Sequence, residues 1–280
     1  MVRLVTWNVA GRVRALPEQA GAVGQVGADV IALQEVTPRT EPLWREALAS
    51  IGFEWCESTV AALPRSPTRR RLAVLTAAGS PLARLEAPEV PWPERILVCD
   101  LGGIEVVNLH SPIAPAPDLA KIRTHEAVAA HLAALEPAPR VLCGDLNTPR
   151  REYPDGDVLT FAHDSKGRLR PERGERWNRA ERALIRDLGW TDAFRALHGY
   201  EHREASWTFA NDKGGWRLDH VLLSGLEPVA AAYAHEWRRA GLSDHSPLVV
   251  DVRAPGPTQA KQRSLHANDD IGRPCASTNR

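Results

Sequence analysis

The segment Gly144-Asp145-Leu146-Asn147 holds the residue types with the clearest chemical potential in this chain. It follows residues 140–143, a short apolar run typical of a buried strand. Asp145 and Asn147 are two positions apart, so an extended backbone directs both side chains to the same side. Together they offer an anion, a neutral acceptor and an amide donor, which suit a hard cation and a phosphate or water. A loop in which Asp and Asn only cap the backbone is the alternative.

Further polar side chains occur at the ends of other predicted strands. The runs that predict strands are residues 2–7, 29–34, 72–76, 96–101, 104–109, 140–143, 218–223 and 247–252. The polar residues at their ends, besides Asp145 and Asn147, are Asn8, Glu35, His110, Asp219, His220, Asp244 and His245. Each alone is explained as a cap or a structural histidine. Their recurrence favours a site that loops present from the ends of rigid sheets.

The residue types at these ends limit the chemistry of such a site. Glu35, Asp145 and Asp244 are carboxylates, and Asn8 and Asn147 add neutral oxygens. Oxygen ligands without thiolates or a histidine pair favour Mg²⁺, with Mn²⁺ as a second possibility, over zinc. Mg²⁺ binds one or two carboxylates and takes its other ligands from water and substrate phosphate. The histidines would then be free for proton transfer or phosphate contact.

The elements that position these residues follow from apolar periodicity. Helical spacing predicts helices over residues 42–51, 119–135 and 178–188, with Asn178 as an N-cap. Gly102-Gly103 predicts a tight hairpin turn between two strands. Strands alternate with helices early and follow one another closely later, which indicates an α/β protein with mixed sheets. Residues 61–71 and 148–176 are rich in Pro and charge, which predicts irregular segments.

Composition bounds the class of protein. The 280 residues are 43% apolar with a formal net charge of zero, so a sizeable core is expected without a global basic field. The four cysteines show no paired spacing, and no run approaches the roughly 18 apolar residues of a membrane span. We therefore expect a cytoplasmic protein without membrane contact. Residues 254–280 lack periodicity and are rich in polar residues, Pro and Gly, which predicts a disordered tail after a catalytic domain at 1–253.

Six short motifs follow one another along the chain, and their order is informative. They are Thr6-Trp7-Asn8-Val9-Ala10-Gly11, Leu33-Gln34-Glu35-Val36, Asn108-Leu109-His110, Gly144-Asp145-Leu146-Asn147, Trp216-Arg217-Leu218-Asp219-His220 and Ser243-Asp244-His245. This order resembles the endonuclease/exonuclease/phosphatase superfamily, which includes deoxyribonuclease I, exonuclease III and the abasic-site endonucleases. The resemblance implies a four-layer α/β sandwich, in which two mixed β-sheets lie face to face between helices.

The resemblance also implies a metal site. Glu35 would be the principal ligand, with Asn8, Asp145 and Asp244 near the metal or its waters. The metal would neutralise charge on the phosphate or the leaving oxygen during in-line attack of water.

Roles in catalysis come from the same resemblance. Asp145 and Asn147 would orient the attacking water and a phosphate oxygen. His245 would be the general base or a phosphate-stabilising donor, and Asp219 would hold its ring in one tautomer. His110 would contact the scissile phosphate.

The segments around residues 192–195 and 207–219 resemble the exonuclease III and abasic-endonuclease branch. There, Phe209, Trp216 and Leu218 would form a pocket for a base-free sugar, although all three could equally be core residues. Arg70 and Arg150 lie in basic segments that could contact DNA phosphates. Two positions depart from that branch. Ala10 stands where Asp or Asn is usual, and His110 stands where Tyr is usual.

The implied activity is a Mg²⁺-dependent phosphodiesterase that acts as a monomer on duplex DNA, at abasic sites or 3′ ends. His110, Ala10 and the neutral charge leave open an alternative, a phosphatase or phosphodiesterase for a small or lipid phosphoester. A non-catalytic binding module is disfavoured, because no key side chain of the motifs is missing.

Overall fold

A computed structural model describes residues 1–64, 70–114, 116–209 and 214–254. In chain order its strands are β1 (Val2–Asn8), β2 (Val30–Val36), β3 (Trp55–Ser58), β4 (Ala73–Ala78), β5 (Ala83–Arg84), β6 (Ile96–Leu101), β7 (Ile104–Leu109), β8 (Arg140–Asp145), β9 (Arg151–Glu152), β10 (Val158–Leu159), β11 (Thr191–Asp192), β12 (Trp207–Thr208), β13 (Gly215–Trp216), β14 (Asp219–Ser224), β15 (Glu227–Tyr233) and β16 (Leu248–Arg253). Its helices are α1 (Leu16–Val26), α2 (Glu41–Ser50), α3 (Ala120–Ala134), α4 (Gly174–Arg182), α5 (Ala193–His198) and α6 (His235–Arg239).

Two six-stranded sheets form the centre of the described fold. The strand order is β15-β16-β1-β2-β4-β3 in the first sheet and β11-β14-β8-β7-β6-β5 in the second. Each sheet contains one parallel pair, β1 with β2 and β7 with β8, among antiparallel neighbours. Both sheets are therefore mixed, as the sequence predicts.

Alternation along the strands creates the layers. Successive side chains point to opposite faces of a strand, so Leu4 faces one way and Val5 the other. Leu4 packs in a core between the sheets with Val106 and Cys143 of the second sheet. Val5 packs on the outer face with Trp44 of α2. The first sheet thus buries both faces.

The second sheet is covered in the same way. Val107 and Leu142 point away from the first sheet and pack with Val128 and Leu132 of α3. The layers are therefore helix, sheet, sheet and helix, which confirms the four-layer α/β sandwich. Burying each such aliphatic side chain contributes on the order of 1.5–3 kcal/mol.

Most predicted elements are present, with shifted ends. Strands β6 and β7 have the predicted bounds, and Gly102 and Gly103 turn between them with φ of 59° and 89°. β8 runs on to Asp145, so this carboxylate belongs to the strand rather than to the loop after it. The helix predicted at 178–188 begins at Gly174 instead, because one more turn lets Trp177 be buried, so Asn178 is not its N-cap.

Two further outcomes concern the ends of the chain and the membrane. Residues 255–280 of the predicted tail lie outside the described residues, so the domain boundary stays a prediction. Across the described ranges, no helix is long and apolar enough to cross a membrane.

Candidate active site

Polar residues from both sheets meet at one edge of the sandwich. Asn8 ends β1, Glu35 is the next-to-last residue of β2, and Asp145 ends β8. Asp219 begins β14 and is the register partner of Asp145 in the neighbouring antiparallel strand. The Nδ2 atom of Asn8 donates to Oδ2 of Asp145 over 3.0 Å, so the two sheets are joined at this point.

Asn8 and His110 both lie between the carboxylates of Glu35 and Asp145. The Nδ2 atom of Asn8 is 3.4 Å from Oε1 of Glu35, in addition to its contact with Asp145. The Nε2 atom of His110 is 3.8 Å from Oε1 of Glu35 and 3.8 Å from Oδ2 of Asp145. The structure therefore brings together four of the residues that the sequence predicts.

His245 and Asp219 form a buried pair beside them. The Nδ1 atom of His245 lies 2.7 Å from Oδ2 of Asp219, and the other ring nitrogen, Nε2, lies 3.8 Å from Oδ2 of Asp145. Trp7 fixes the backbone of His245, because its Nε1 atom donates to the His245 carbonyl over 3.0 Å. The ring is thus held from one side and presents Nε2 to Asp145. We call Asn8, Glu35, His110, Asp145, Asp219 and His245 the catalytic cluster.

Burial governs the protonation of this cluster. Burial raises the pKa of Asp145 to about 7, although the nearby His245 offsets part of that shift. Burial alone would lower the pKa of His245, but the carboxylates of Asp219 and Asp145 raise it above its usual value. Burial, together with the charge of Arg95, lowers the pKa of His110 well below its usual value. His245 therefore favours the charged ring, and His110 the neutral one.

The backbone at this edge takes left-handed conformations that few side chains favour. Ala10, Glu35 and Asn147 have φ of 55°, 60° and 51°. Such conformations cost on the order of 1–3 kcal/mol each outside glycine, and they cluster at functional sites. Gly144 has φ of 132°, and a Cβ there would lie 2.0 Å from the carbonyl oxygen of Leu109. Only glycine allows β8 to approach β7 this closely.

Asn147 is held on all sides by hydrogen bonds. Its backbone N–H donates to Oδ1 of Asp145, its Nδ2 donates to the carbonyl of Ser111 over 2.8 Å, and its own carbonyl accepts from Nζ of Lys121 over 2.6 Å. Lys121 is buried and pairs with Glu181 at 2.7 Å. Glu181 also accepts from Oγ1 of Thr148 over 2.7 Å. This buried pair supports the turn that presents Asn147, and the sequence did not reveal it.

Arg95 is a second neighbour that the sequence did not reveal. It lies in a short turn before β6 and is 6% exposed. Its Nη1 atom is 2.7 Å from Nδ1 of His110. Only the packing of β6 beside β7 brings the two residues together, so no local sequence signal marks Arg95.

The remaining predicted residues lie around the rim. Asp244 is exposed, with its carboxylate 3.5 Å from the hydroxyl of Ser243. Arg70 reaches Glu35, with 3.3 Å between Nη2 and Oε2. Arg150 lies over the ring of Phe161, 5.8 Å from its centroid. The sequence-based roles of these residues stay predictions.

The predicted sugar pocket is only partly assembled. Phe209 is 41% exposed and contacts Trp216 edge-on at 4.8 Å between ring centroids. Trp216 stacks on Trp207 at 5.2 Å. Phe209 and Trp216 line a cavity of about 990 Å³, whereas Leu218 is buried and does not line it.

The donor set fits a hard cation. One ligand atom each from Asp145, Asp219 and His245 lies within 4.8 Å of the others. The Oδ1 atom of Asp219 is buried without a hydrogen-bond partner in the part of the chain that the structure describes. A buried carboxylate oxygen without a donor and a buried carboxylate with a raised pKa both call for added positive charge.

A second buried group of charges lies next to this one. Arg217 donates to both oxygens of Glu152, at 2.7 and 2.9 Å, and also pairs with Asp192. Arg195 donates to the same Glu152 carboxylate at 2.7 and 3.1 Å. These contacts lower the pKa values of both carboxylates against the effect of burial. We call Glu152, Asp192, Arg195 and Arg217 the arginine cluster.

Residues 5–245 match the model of the Endonuclease/Exonuclease/phosphatase family. The chain belongs to this family. The match spans all six motifs from β1 to His245, and the family assigns the chain to the phosphoric ester hydrolases, whose members depend on metal ions. No curated protein sequence matches the chain.

Solved structures of similar fold support the same architecture for this family member. An AP endonuclease from Archaeoglobus fulgidus has a TM-score of 0.67 and 22% identity, over 90% of this chain and 99% of that one. The 3′ phosphatase NExo from Neisseria, bound to a product DNA hairpin, has a TM-score of 0.63 and 21% identity, over 90% and 100%. The 3′-5′ exonuclease NExo from Neisseria meningitidis gives 0.63 and 21%, over 89% and 98%.

Proposed function

We propose that this protein is a Mg²⁺-dependent phosphodiesterase that hydrolyses DNA at abasic sites or 3′ ends. One observation carries the proposal. The Asp219–His245 pair aims Nε2 at Asp145, beside the carboxylate of Glu35 and the amide group of Asn8, which donates to both carboxylates. Titratable groups with different protonation preferences at one edge are the arrangement that hydrolytic chemistry needs.

The chain's own residues define the proton steps of this proposal. A gap of 3.8 Å separates Nε2 of His245 from Oδ2 of Asp145, which leaves both atoms free to bond a third atom. Asp145, oriented by Asn8, accepts a proton from the attacking water. His245, held as a charged ring by Asp219, donates a hydrogen bond from Nε2 to a phosphate oxygen and stabilises its developing charge. As the water oxygen bonds to phosphorus, the bond to the leaving oxygen breaks, and that oxygen takes a proton from solvent.

The carboxylates of Glu35, Asp145 and Asp244 would hold the metal, with Glu35 as the principal ligand and Asp244 at the rim. Asn8, whose Nδ2 donates to Glu35 and Asp145, would lie near the metal or its waters. When bound, Mg²⁺ would act as a Lewis acid and neutralise charge on the phosphate. His110 stays neutral and faces the same carboxylates, so it can donate to the scissile phosphate.

DNA is the proposed substrate because basic and aromatic side chains contact the cluster or follow and precede its residues along the chain. Arg70 contacts Glu35, Arg150 comes three residues after Asn147, and Phe209 and Trp216, whose rings meet at 4.8 Å, precede Asp219. The three solved structures of the same fold, one AP endonuclease and two NExo structures, carry the names of DNA-processing proteins. The proposal treats the protein as a monomer on duplex DNA.

A hydrolase of small phosphoesters is the second candidate, and His110 in place of the Tyr of the abasic-endonuclease branch favours it. One substrate panel separates the two. Purified protein with Mg²⁺ is incubated with an abasic-site duplex, a recessed 3′ end, bis(p-nitrophenyl) phosphate and inositol phosphates. The proposal predicts DNA cleavage that EDTA abolishes. Turnover of the small esters with intact DNA would support the second candidate instead.

A further inference from the structure

The buried face of α3 changes from apolar to polar along the helix. Val128 and Leu132 on this face pack in the apolar core on the second sheet. Lys121 and His125 continue the same face at helical spacing towards the N-terminus of α3, and they are 1% and 0% exposed. Packing alone would favour apolar residues at both positions, so these two side chains call for another explanation.

Lys121 is buried together with its counter-charge. Its Nζ atom lies 2.7 Å from Oε1 of Glu181, which is also buried. A buried ion pair adds little stability over well-packed apolar residues of similar volume, because desolvation offsets the attraction. The pair does supply a donor at a fixed point, since Nζ also donates to the carbonyl of Asn147 over 2.6 Å. Lys121 thereby holds the turn after β8.

His125 reaches the same turn from another side. Its Nε2 atom lies 2.7 Å from Oγ of Ser111. The backbone N–H of Ser111 donates to the Asp145 carbonyl over 2.8 Å, and the Ser111 carbonyl accepts from Nδ2 of Asn147 over 2.8 Å. Burial, together with the charge of Lys121, lowers the pKa of His125 to about 3, so the ring is neutral and acts as a fixed hydrogen-bond partner.

These contacts leave Asn147 little freedom. Its φ of 51° is left-handed, a conformation that asparagine tolerates but that the surroundings must hold. The carbonyl of Ser111 can only accept, so its contact with Nδ2 sets which way the amide of Asn147 faces. Asn147 is only partly buried, so this oriented amide can meet a substrate.

We propose that Lys121 is a positioning residue for the hydrolytic reaction and that His125 assists it through Ser111. Lys121 acts on the reaction through the position of Asn147, whose carbonyl it holds. The inference rests on the proposed function, with Asn147 as the residue that orients the attacking water or a phosphate oxygen. A residue that acts in this way changes the rate of the chemical step rather than the affinity for substrate.

The kinetics of abasic-site duplex cleavage, with saturating Mg²⁺ and below each melting temperature, test the proposal. Lys121→Met is expected to lower kcat about 10–100-fold and to change KM less than about threefold, because a small misplacement of a reacting group costs up to about 10²-fold. Lys121→Met/Glu181→Gln, which removes the unpaired charge of Glu181, is expected to keep the low kcat. His125→Phe is expected to lower kcat about three- to tenfold, since it removes a weaker, neutral hydrogen bond.

Arg140→Met is the matched control. Arg140 lies at the opposite end of β8 from Asp145 and pairs with Glu105 at 3.4 Å. Its loss breaks a largely buried ion pair away from the turn at Asn147, so kcat should stay within about twofold of the wild type. A kcat within about twofold of the wild type in both Lys121 variants, or an equal loss in Arg140→Met, would overturn the proposal.

Amide hydrogen exchange, followed by NMR in EDTA, separates this inference from the proposed function. The N–H of Asn147 donates to Oδ1 of Asp145 over 3.0 Å. In Lys121→Met/Glu181→Gln it should exchange about tenfold faster or more, beyond any change at the amide of Leu142 in β8. An equal change at both amides would overturn the positioning role. If the wild type cleaves no DNA but exchange at Asn147 rises selectively, the positioning by Lys121 stands and the DNA hydrolase assignment falls.

Discussion

Two buried charge clusters meet near the start of β14, and they are compensated very differently. In the arginine cluster, the carboxylates of Glu152 and Asp192 lie within 2.7 Å of guanidinium nitrogens. In the catalytic cluster, Asp145 forms no ion pair with Arg or Lys in the part of the chain that the structure describes, and its nearest ring nitrogens, Nε2 of the neutral His110 and Nε2 of the charged His245, are each 3.8 Å away. Only Leu218 separates Arg217 from Asp219 along the chain.

Burial has opposite net effects on the pKa values of the carboxylates in the two clusters. A carboxylate paired with arginine is satisfied in the folded protein, so its pKa falls. A carboxylate that is buried without such a partner is destabilised in its charged form, so its pKa rises. Asp145 of the catalytic cluster therefore favours binding of a metal ion or a proton, whereas the arginine cluster anchors the strands around it.

The largest expected effect comes from removing the ring that Asp219 holds. His245→Ala should lower the single-turnover rate of DNA cleavage by roughly 10²–10⁴-fold, because one proton carrier or charged donor contributes about this much. The melting temperature checks that the variant folds. A rate within threefold of the wild type would remove His245 from the chemistry.

Lys121 combines features of both clusters. Its charge is paired with Glu181, and its Nζ also donates to the carbonyl of Asn147. Lys121→Met should lower the free energy of unfolding by about 3–5 kcal/mol, because Glu181 is left buried without its counter-charge. Urea unfolding measures this loss. The double variant Lys121→Met/Glu181→Gln should recover much of the stability, and a double variant no more stable than Lys121→Met would contradict this account of the pair.

Asp192→Asn tests the compensated side of the comparison. It should cost about 2–3 kcal/mol near neutral pH, because the charge-assisted bonds to Arg217 are weakened. The folded-state pKa of Asp192 is depressed, so its contribution is present above the unfolded value of about 3.9 and is lost as the pH falls below it. Urea unfolding at pH 7 and pH 3 should therefore show a smaller difference at pH 3.

Asp145→Asn makes the same change on the uncompensated side and should have the opposite sign. In EDTA at pH 8, it should raise the free energy of unfolding by roughly 1–3 kcal/mol, since it removes a buried charge. Because the folded-state pKa of Asp145 is raised to about 7, this gain should shrink as the pH falls from 7 towards 4. A destabilised variant at pH 8 would show that Asp145 is already compensated.

The fold was predictable because strand periodicity and turn chemistry agree. Apolar alternation specified β6 and β7, and Gly102-Gly103 supplied the turn between them. Helix α1 was not predicted, since Gly21 and Gly24 lower its helix propensity and the polar Gln19 interrupts its buried face. Strand β15 was not predicted either, because its alanine-rich centre carries little β-propensity.

The site was predictable only where residues end strands. Asn8, Glu35 and Asp145 stand at such ends. The parallel pairing of β1 with β2 places Asn8 and Glu35 on one edge, and a hydrogen bond from Asn8 joins Asp145 of the other sheet to them. Lys121 and Arg95 were missed because they reach the site through tertiary contacts from a helix and a turn. Glu35 and Asn147 both adopt a left-handed backbone conformation. At Glu35 the residue type gave no signal of this, because glutamate rarely adopts that conformation.

The buried carboxylate of Asp145, which no arginine neutralises in the described residues, takes part in the chemistry, whereas the carboxylate of Asp192, which Arg217 neutralises, does not. The most direct test is the single-turnover rate of abasic-site duplex cleavage, with saturating Mg²⁺, for Asp145→Asn and Asp192→Asn side by side below their melting temperatures. We expect a loss of about 10²-fold or more for Asp145→Asn and a change within about tenfold for Asp192→Asn. An active Asp145→Asn beside a folded but inactive Asp192→Asn would contradict it.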